Sequence, residues 1–171
     1  MLQRIYIGLG SNLGNRKKNI EGAIRLLEEV LCRVRISDYY VSEPRDYLNQ
    51  PDFLNMVLEG YTTLTPFSLL KKIKAIELTM GRKHTPYVLK GPREVDIDIL
   101  LHGKMIIKKK NLTIPHPEIT RRKFVLIPLL EINPNLKNPS TGRKYSEYLF
   151  ELEEQGIYYF SLDRYNYASK K

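Results

Sequence analysis

Residues 94–101 read EVDIDILL. Asp96 and Asp98 fall at strand spacing, so both carboxylates project from one face, with Val95, Ile97, Ile99 and Leu101 on the other. Two like charges on one face of a half-buried strand repel each other and resist desolvation, so a chain that keeps them needs a reason. The stretch also closes a pattern. Working back toward the N-terminus, RIYIGLG (4–10) alternates and reads as a first strand. Asn15 is placed to cap a helix whose apolar positions Ile20, Ala23, Ile24, Leu27, Val30 and Leu31 follow the helical period. VRISDYYVSE (34–43) reads as a second strand, EPRDYLNQPD as a loop, and FLNMVLEGYTT (53–63) as a third strand. Pro66 opens a second helix that runs through Leu69, Leu70, Ile73, Ile76 and Met80 and stops at Gly81. With EVDIDILL as the next strand the order is β-α-β-β-α-β. That is the split βαβ pattern of a ferredoxin-like α+β fold, an antiparallel sheet with helices mainly on one face.

Between the second helix and that strand lies RKHTPYVLKGPR (82–93), a long loop with two prolines, a glycine, basic or potentially basic side chains and no core to join. Loops of this length are functional or mobile. Downstream, HGK (102–104) suggests a turn into a short strand at MIIK, LTIPHP leads into a helical start, and RKFVLIPLLEI is an apolar segment broken by Pro128. A short helix near 145–154 and a strand at GIYYFSL follow, and DRYNYASKK reads as a frayed end.

At 171 residues and 42% hydrophobic, the chain has the length and composition of one folded domain, residues 1–171. Cys32, the single cysteine, lies in a helical apolar pattern and cannot form an intrachain disulfide. With only three histidines beside it, a zinc site is disfavoured, and a reducing, cytoplasmic setting is expected. The N-terminus has no apolar export segment and no stretch reaches membrane-spanning length, so no membrane association is expected. The net charge of +9 points to anionic partners, either nucleic acid or a polyphosphate nucleotide. Lys108–Lys110 reads as a solvated turn. Arg82, Arg93, Arg121 and Arg122 are more telling, because each stands beside another polar or Gly/Pro feature. A ferredoxin-like RNA-binding module would need the aromatic K/R-G-F/Y-G/A-F-V-x-F/Y stretch, which is missing, and acids on its sheet would repel phosphate. No nucleic-acid partner is therefore expected.

Four short constellations carry chemistry. GLGSNLG (8–14) follows a strand and opens a helix, but its Gly-x-Gly-x-x-x-Gly spacing misses the dinucleotide fingerprint and it lacks the Gly-Lys-Ser/Thr of a Walker A loop. It reads as a glycine turn that lets backbone approach something. Same-face neighbours on a strand stand roughly 6.6 Å apart, so Asp96 and Asp98 can converge on one cation or bridge two. The alternatives for a bare D-x-D are a solvated face or pairing with Arg82 and Arg93. Gly91-Pro92-Arg93 and the arginine-bearing loop before it set phosphate ligands beside those metal ligands, which is what phosphoryl transfer needs. IPHP (114–117) presents His116 on rigid backbone, with Arg121 and Arg122 one turn on. QPDFLN (50–55) puts Phe53 and Asn55 on one face, an aromatic ring beside a carboxamide, suited to a flat heterocycle.

Taken together, GSNLG, QPDFLN, IELTMGR, GPREVDIDIL, LTIPHP and RKFVLIPLLEI resemble the 6-hydroxymethyl-7,8-dihydropterin pyrophosphokinases of folate biosynthesis, from about Ile5 to about Pro134. The resemblance implies a ferredoxin-like fold and transfer of the β,γ-diphosphate of ATP to the hydroxymethyl group of 6-hydroxymethyl-7,8-dihydropterin, with AMP released. It implies two Mg2+ ions on Asp96 and Asp98, catalytic Arg82 and Arg93, and ATP as co-substrate held by Glu77, Arg93, Ile99, Leu112, Thr113, His116 and Arg122. It implies a pterin site of Gly10, Ser42, Pro44, Arg45, Phe53, Asn55 and Phe124. It also implies small-molecule partners only and a monomer. A metal-dependent nucleotidyltransferase, the rival with paired aspartates, would release diphosphate rather than AMP. Lys90 stands where many members carry an aromatic, so that stacking role is not transferred.

Overall fold

The structure, a computed structural model, describes residues 1–44, 48–81 and 91–160. The first strand, β1 (Gln3–Ser11), leads into helix α1 (Arg16–Leu27). Asn15 caps that helix through its side chain, which accepts from Lys18 N at 3.0 Å. Next come β2 (Cys32–Ile36), β3 (Tyr40–Ser42) and β4 (Phe53–Thr62). Helix α2 (Pro66–Thr79) has Thr65 as N-cap, Pro66 in its first turn, and Gly81 beyond it at φ +102°. Strand β5 (Asp96–His102) completes the β-α-β-β-α-β unit, with β2 and β3 sharing the role of its second strand.

The sheet runs β5-β1-β4-β3-β8, with β2 also on β4 and β8 (Ile157–Tyr159) added outside β3; every pairing is antiparallel. This is the α+β, ferredoxin-like arrangement, in which a strand is inserted between the two parallel strands of a βαβ unit. Period 2 sorts the faces. Ile5, Ile7 and Leu9 of β1, Leu54, Met56 and Leu58 of β4, and Ile97 and Ile99 of β5 pack with Ile20, Ala23 and Leu27 of α1 and Leu69, Ile73 and Ile76 of α2. Tyr6, Val57 and Leu100 point to the other face, where α3 (Lys123–Ile132) and α4 (Tyr145–Glu151) cover one half. A bulge in β5, with Ile7 opposite Ile99 but Tyr6 opposite Leu101, brings Leu101 to that face as well instead of leaving it with Ile97 and Ile99 as expected. The two helices of the βαββαβ unit thus share one face, as expected, and the later pair lies opposite. The other half of that second face stays open.

Four further sequence expectations are corrected. Residues 34–43 form two strands: Ile36 faces Leu58 but Tyr40 faces Asn55, so three residues on one side oppose two on the other. Ser37 fills the irregularity, its N–H donating to Val57 O and its hydroxyl accepting from Val57 N, both at 2.9 Å. Cys32 begins β2 and is exposed, because α1 has already ended and Val30 and Leu31 lie in the turn beyond it. LTI belongs to β7 (Leu112–Ile114), which pairs with β6 (Ile107–Lys109) as a hairpin, and the helix starts only at Lys123. Lys108 and Lys109 lie within that hairpin's first strand, exposed as expected. Pro128 sits inside α3 without ending it; a single proline removes one N–H from a helix, and Pro128 is itself buried in the core beside Leu129 and Ile132.

Candidate active site

The open half of the second sheet face is the floor of a cleft of about 280 Å3. Its centre is glycine. Across the sheet, Gly10 lies between Asn55 of β4 and Asp96 of β5, and Gly8 lies between Val57 and Asp98. A Cβ on Gly10 would stand 3.1 Å from Asn55 Oδ1 and 3.7 Å from the Phe53 ring. The alternating glycines therefore leave a flat trough between the amide of β4 and the carboxylates of β5.

One wall holds Phe53, Asn55, Ser42 and Pro44. Asn55 is buried, and its Nδ2 donates to Ser42 Oγ at 2.9 Å, which leaves Oδ1 beside Gly10 on the floor. Phe124, at the start of α3, lines the opposite side. Each ring carries an arginine: Arg93 lies 5.6 Å from the Phe53 centroid and Arg122 lies 5.5 Å from that of Phe124.

The charged end is built from 91–98 and 116–122. Arg93 Nη1 meets Asp96 Oδ1 at 3.2 Å, while Arg93 Nε is buried with no hydrogen-bond partner among the described residues. An orphaned guanidinium N–H beside a cleft suits an anionic ligand. Asp98 is reached by solvent at the cleft floor, yet it sits deep between the walls. That enclosure raises its carboxyl pKa and Asp96 raises it further; His116 and Lys74 pull the other way and Glu77 adds to the rise. His116 accepts from Glu118 N through Nδ1 at 3.3 Å, so the neutral ring carries its proton on Nε2. Arg122 Nε donates to Glu118 Oε2 at 2.7 Å.

The structure therefore brings together Gly10, Ser42, Pro44, Phe53, Asn55, Arg93, Asp96, Asp98, His116, Arg122 and Phe124. Glu77, Ile99, Leu112 and Thr113 do not line the cleft. Glu77 is buried behind β5, its Oε1 accepting from Ile97 N at 3.0 Å and its Oε2 from Lys74 Nζ at 2.8 Å. Ile99 and Leu112 pack in the first core, and Thr113 sits in β7. These four gather along the outer edge of β5, where His116 N donates to Leu100 O at 2.9 Å. Arg45 and Arg82, with Lys83, His84 and Lys90, lie outside the described residues.

Sequence reasoning missed Asn12, Gln50 and Glu118. Asn12 is buried; its Oδ1 accepts from Arg93 N at 2.8 Å, and its Nδ2 donates to Gln50 Oε1 at 2.9 Å and Pro51 O at 3.1 Å. It joins the loop before Phe53 to the loop that carries Arg93. The signal was present in GLGSNLG as a polar residue just past a strand end, but local sequence does not disclose a partner 81 positions away.

Fold and cleft together define a ferredoxin-like α+β protein with an arginine- and carboxylate-lined ligand cleft. The family model described as 7,8-dihydro-6-hydroxymethylpterin-pyrophosphokinase (HPPK) matches residues 6–134. A 2-amino-4-hydroxy-6-hydroxymethyldihydropteridine pyrophosphokinase of Aquifex aeolicus is 45% identical over 144 residues, 84% of this chain and 89% of that protein. One of Pseudomonas aeruginosa is 38% identical over 159 residues, covering 92% and 96%. Some relatives are much longer: the chain spans 21% of the folic acid synthesis protein fol1 of Schizosaccharomyces pombe, at 39% identity over 91% of this chain. Among solved structures, an HPPK-DHPS triple mutant of Plasmodium falciparum gives a TM-score of 0.72 at 17% identity, over 88% of this chain and 43% of that one, a likeness of fold. The chain belongs to the 7,8-dihydro-6-hydroxymethylpterin-pyrophosphokinase family, enzymes of pyrophosphoryl transfer in folate biosynthesis.

Proposed function

We propose that this enzyme transfers the β,γ-diphosphate of ATP to the hydroxymethyl oxygen of 6-hydroxymethyl-7,8-dihydropterin in a Mg2+-dependent reaction. The hydroxyl oxygen attacks the β-phosphorus and loses its proton. The bond from that phosphorus to the α,β-bridging oxygen breaks, and AMP leaves. The single observation that carries this reading is the juxtaposition, on one sheet face, of an aromatic–amide slot with paired carboxylates and an orphaned arginine N–H.

The carboxylates fit magnesium. Asp96 and Asp98 offer hard oxygen ligands, and Asp98 is held in a site that disfavours its negative charge, as expected where a cation belongs. Among the described residues no group of three or more His, Cys, Asp or Glu could close a metal cage, and magnesium characteristically leaves positions to water and substrate phosphate. Two bound ions would neutralise the triphosphate and make the attacking hydroxyl more acidic.

The chain's own residues do the rest by positioning and charge. Phe53 and Phe124 sandwich the pterin above the Gly10 floor, and Asn55 Oδ1 accepts from its ring N–H groups. Arg93 and the Nε2–H of His116 hold phosphate oxygens, Arg122 neutralises charge at the same end, Arg82 acts on the triphosphate and Arg45 on the pterin. Glu77, Ile99, Leu112 and Thr113 serve ATP along the outer edge of β5, and of these Glu77 acts electrostatically on Asp98. The protein acts as a cytoplasmic monomer; among the described residues no helix is long and apolar enough to cross a membrane.

The test is a product assay with ATP, Mg2+ and the hydroxymethyl pterin. AMP release should require all three, and Asp96→Ala or Asp98→Ala should each lower kcat by at least about a thousandfold, the scale on which a preorganised charged group acts. Wild-type rates in both variants, or diphosphate as product, would overturn the mechanism.

A further inference from the structure

Helix α3 starts without a cap of its own. Its N-cap residue, Arg122, makes no side-chain cap hydrogen bond, yet this is the helix end from which Arg122 and Phe124 enter the cleft. The cap comes from the far end of the chain. Gln155 Oε1 accepts from Lys123 N at 2.9 Å, and Gln155 Nε2 donates to Arg121 O at 3.0 Å. One side-chain amide thus closes a ring on the carbonyl before Arg122 and the N–H after it. The two rotatable backbone bonds inside that ring are the φ and ψ of Arg122, held at −127° and 114°.

The segment that carries Gln155 is itself anchored to the opposite wall. Two residues on, β8 pairs with β3, setting Ile157 against Ser42, Val41 against Tyr158 and Tyr40 against Tyr159. Tyr159 OH donates to Asp38 Oδ2 at 3.0 Å, and Phe160 N donates to Tyr39 O at 2.9 Å. On the α3 side, Glu154 meets Lys123 Nζ at 3.0 Å. Residues 154–160 therefore strap the Ser42 wall to the Arg122–Phe124 wall. The strap lies beyond residue 134, where the family-model match ends.

We propose that Gln155 is a positioning residue for the cleft, acting by fixing the backbone of Arg122 so that its guanidinium meets the ATP polyphosphate already oriented. The proposal rests on the reading of Arg122 as an ATP contact. Removing the clip leaves α3 uncapped and lets Arg122 sample other backbone conformations, so part of the ordering cost moves to the moment of binding.

The test compares steady-state kinetics of Gln155→Ala, Arg122→Ala and the double variant in the full-length protein, with Gln155→Glu as a second single variant that keeps the acceptor for Lys123 N but loses the donor to Arg121 O. Gln155→Ala should raise KM for ATP about 3- to 10-fold, the scale of ordering one long side chain, with kcat at saturation within about twofold. Gln155→Glu should fall between Gln155→Ala and wild type. In the Arg122→Ala background the same change at position 155 should leave KM unmoved, because the residue it acts through is gone. Arg122→Ala with a raised KM beside Gln155→Ala and Gln155→Glu at wild-type KM would overturn the role of Gln155 alone. So would a Gln155 effect undiminished in the double variant. Arg122→Ala at wild-type KM would instead overturn the reading of the ATP site.

Discussion

At the scale of single residues, the decisive position is Gly10, one of two glycines on the cleft face of β1. The two look equivalent in sequence and are not equivalent in space. A methyl on Gly8 would meet the side chain of Leu100 at 3.5 Å, an ordinary contact. A methyl on Gly10 would stand 3.1 Å from Asn55 Oδ1 and intrude on the floor beneath the proposed pterin ring. Gly10→Ala should therefore raise KM for the pterin about 10-fold or more while leaving KM for ATP within about twofold, and Gly8→Ala should leave both near wild type. Equal effects of the two substitutions on pterin KM would remove the floor from the argument. That Asp96 and Asp98 share a face was legible from spacing, because strand periodicity is local, but reading them as ligands took Gly91-Pro92-Arg93 and the basic loop beside them. Asn12 and Glu118 were not legible, because their function is to hold Arg93 and Arg122, and those contacts form only when separate loops meet.

At the scale of elements, the sequence marked both long helices and the three long strands to within a few residues, and it failed where tertiary packing overrode a local signal. Pro128 is a helix breaker by chemistry, but a core of Tyr6, Val57, Leu126 and Leu129 stabilises the helix around it. Residues 34–43 look continuous because the irregularity at Ser37 shows only against β4. Strand β5 ends on a residue with its own consequence. His102 is buried, with Nε2 3.0 Å from Leu64 O and Nδ1 without a partner among the described residues, and burial lowers its pKa below the usual imidazole value. The folded protein thus refuses a proton that the unfolded chain accepts near pH 6.5. Above that pH the residue has no pH-linked effect on stability. As the pH falls through 6.5, stability is lost, with a slope of at most about 1.4 kcal/mol per pH unit, until the lowered folded-state pKa is passed. Urea unfolding from pH 7.5 to pH 5 should show this loss in wild type and a shallower one in His102→Gln, which keeps a donor for Leu64 O. Parallel pH profiles would show that His102 is not the source.

At the scale of the whole molecule, the fold separates stability from function across one sheet. The face under α1 and α2 is closed with aliphatic side chains, and the half-face opposite is left to glycines, two carboxylates and arginines. Asp98 shows the consequence: its site raises the carboxyl pKa, so the site works against the negative charge in the ligand-free protein, and a bound cation would offset that. Wild-type protein should therefore gain thermal stability on addition of Mg2+ with a non-hydrolysable ATP analogue. At a hundredfold excess over Kd the gain is about 2.7 kcal/mol, or roughly 5–10 °C in Tm for a chain of this size. Asp98→Asn should change both behaviours. Without ligand its Tm should equal or exceed that of wild type by about 1–2 °C, a small gain because the carboxylate is still reached by water. With Mg2+ and nucleotide its shift should collapse. A ligand-free Asp98→Asn protein several degrees less stable than wild type would mean that the carboxylate supports the fold rather than the cation, and the division of labour between the two faces would fail.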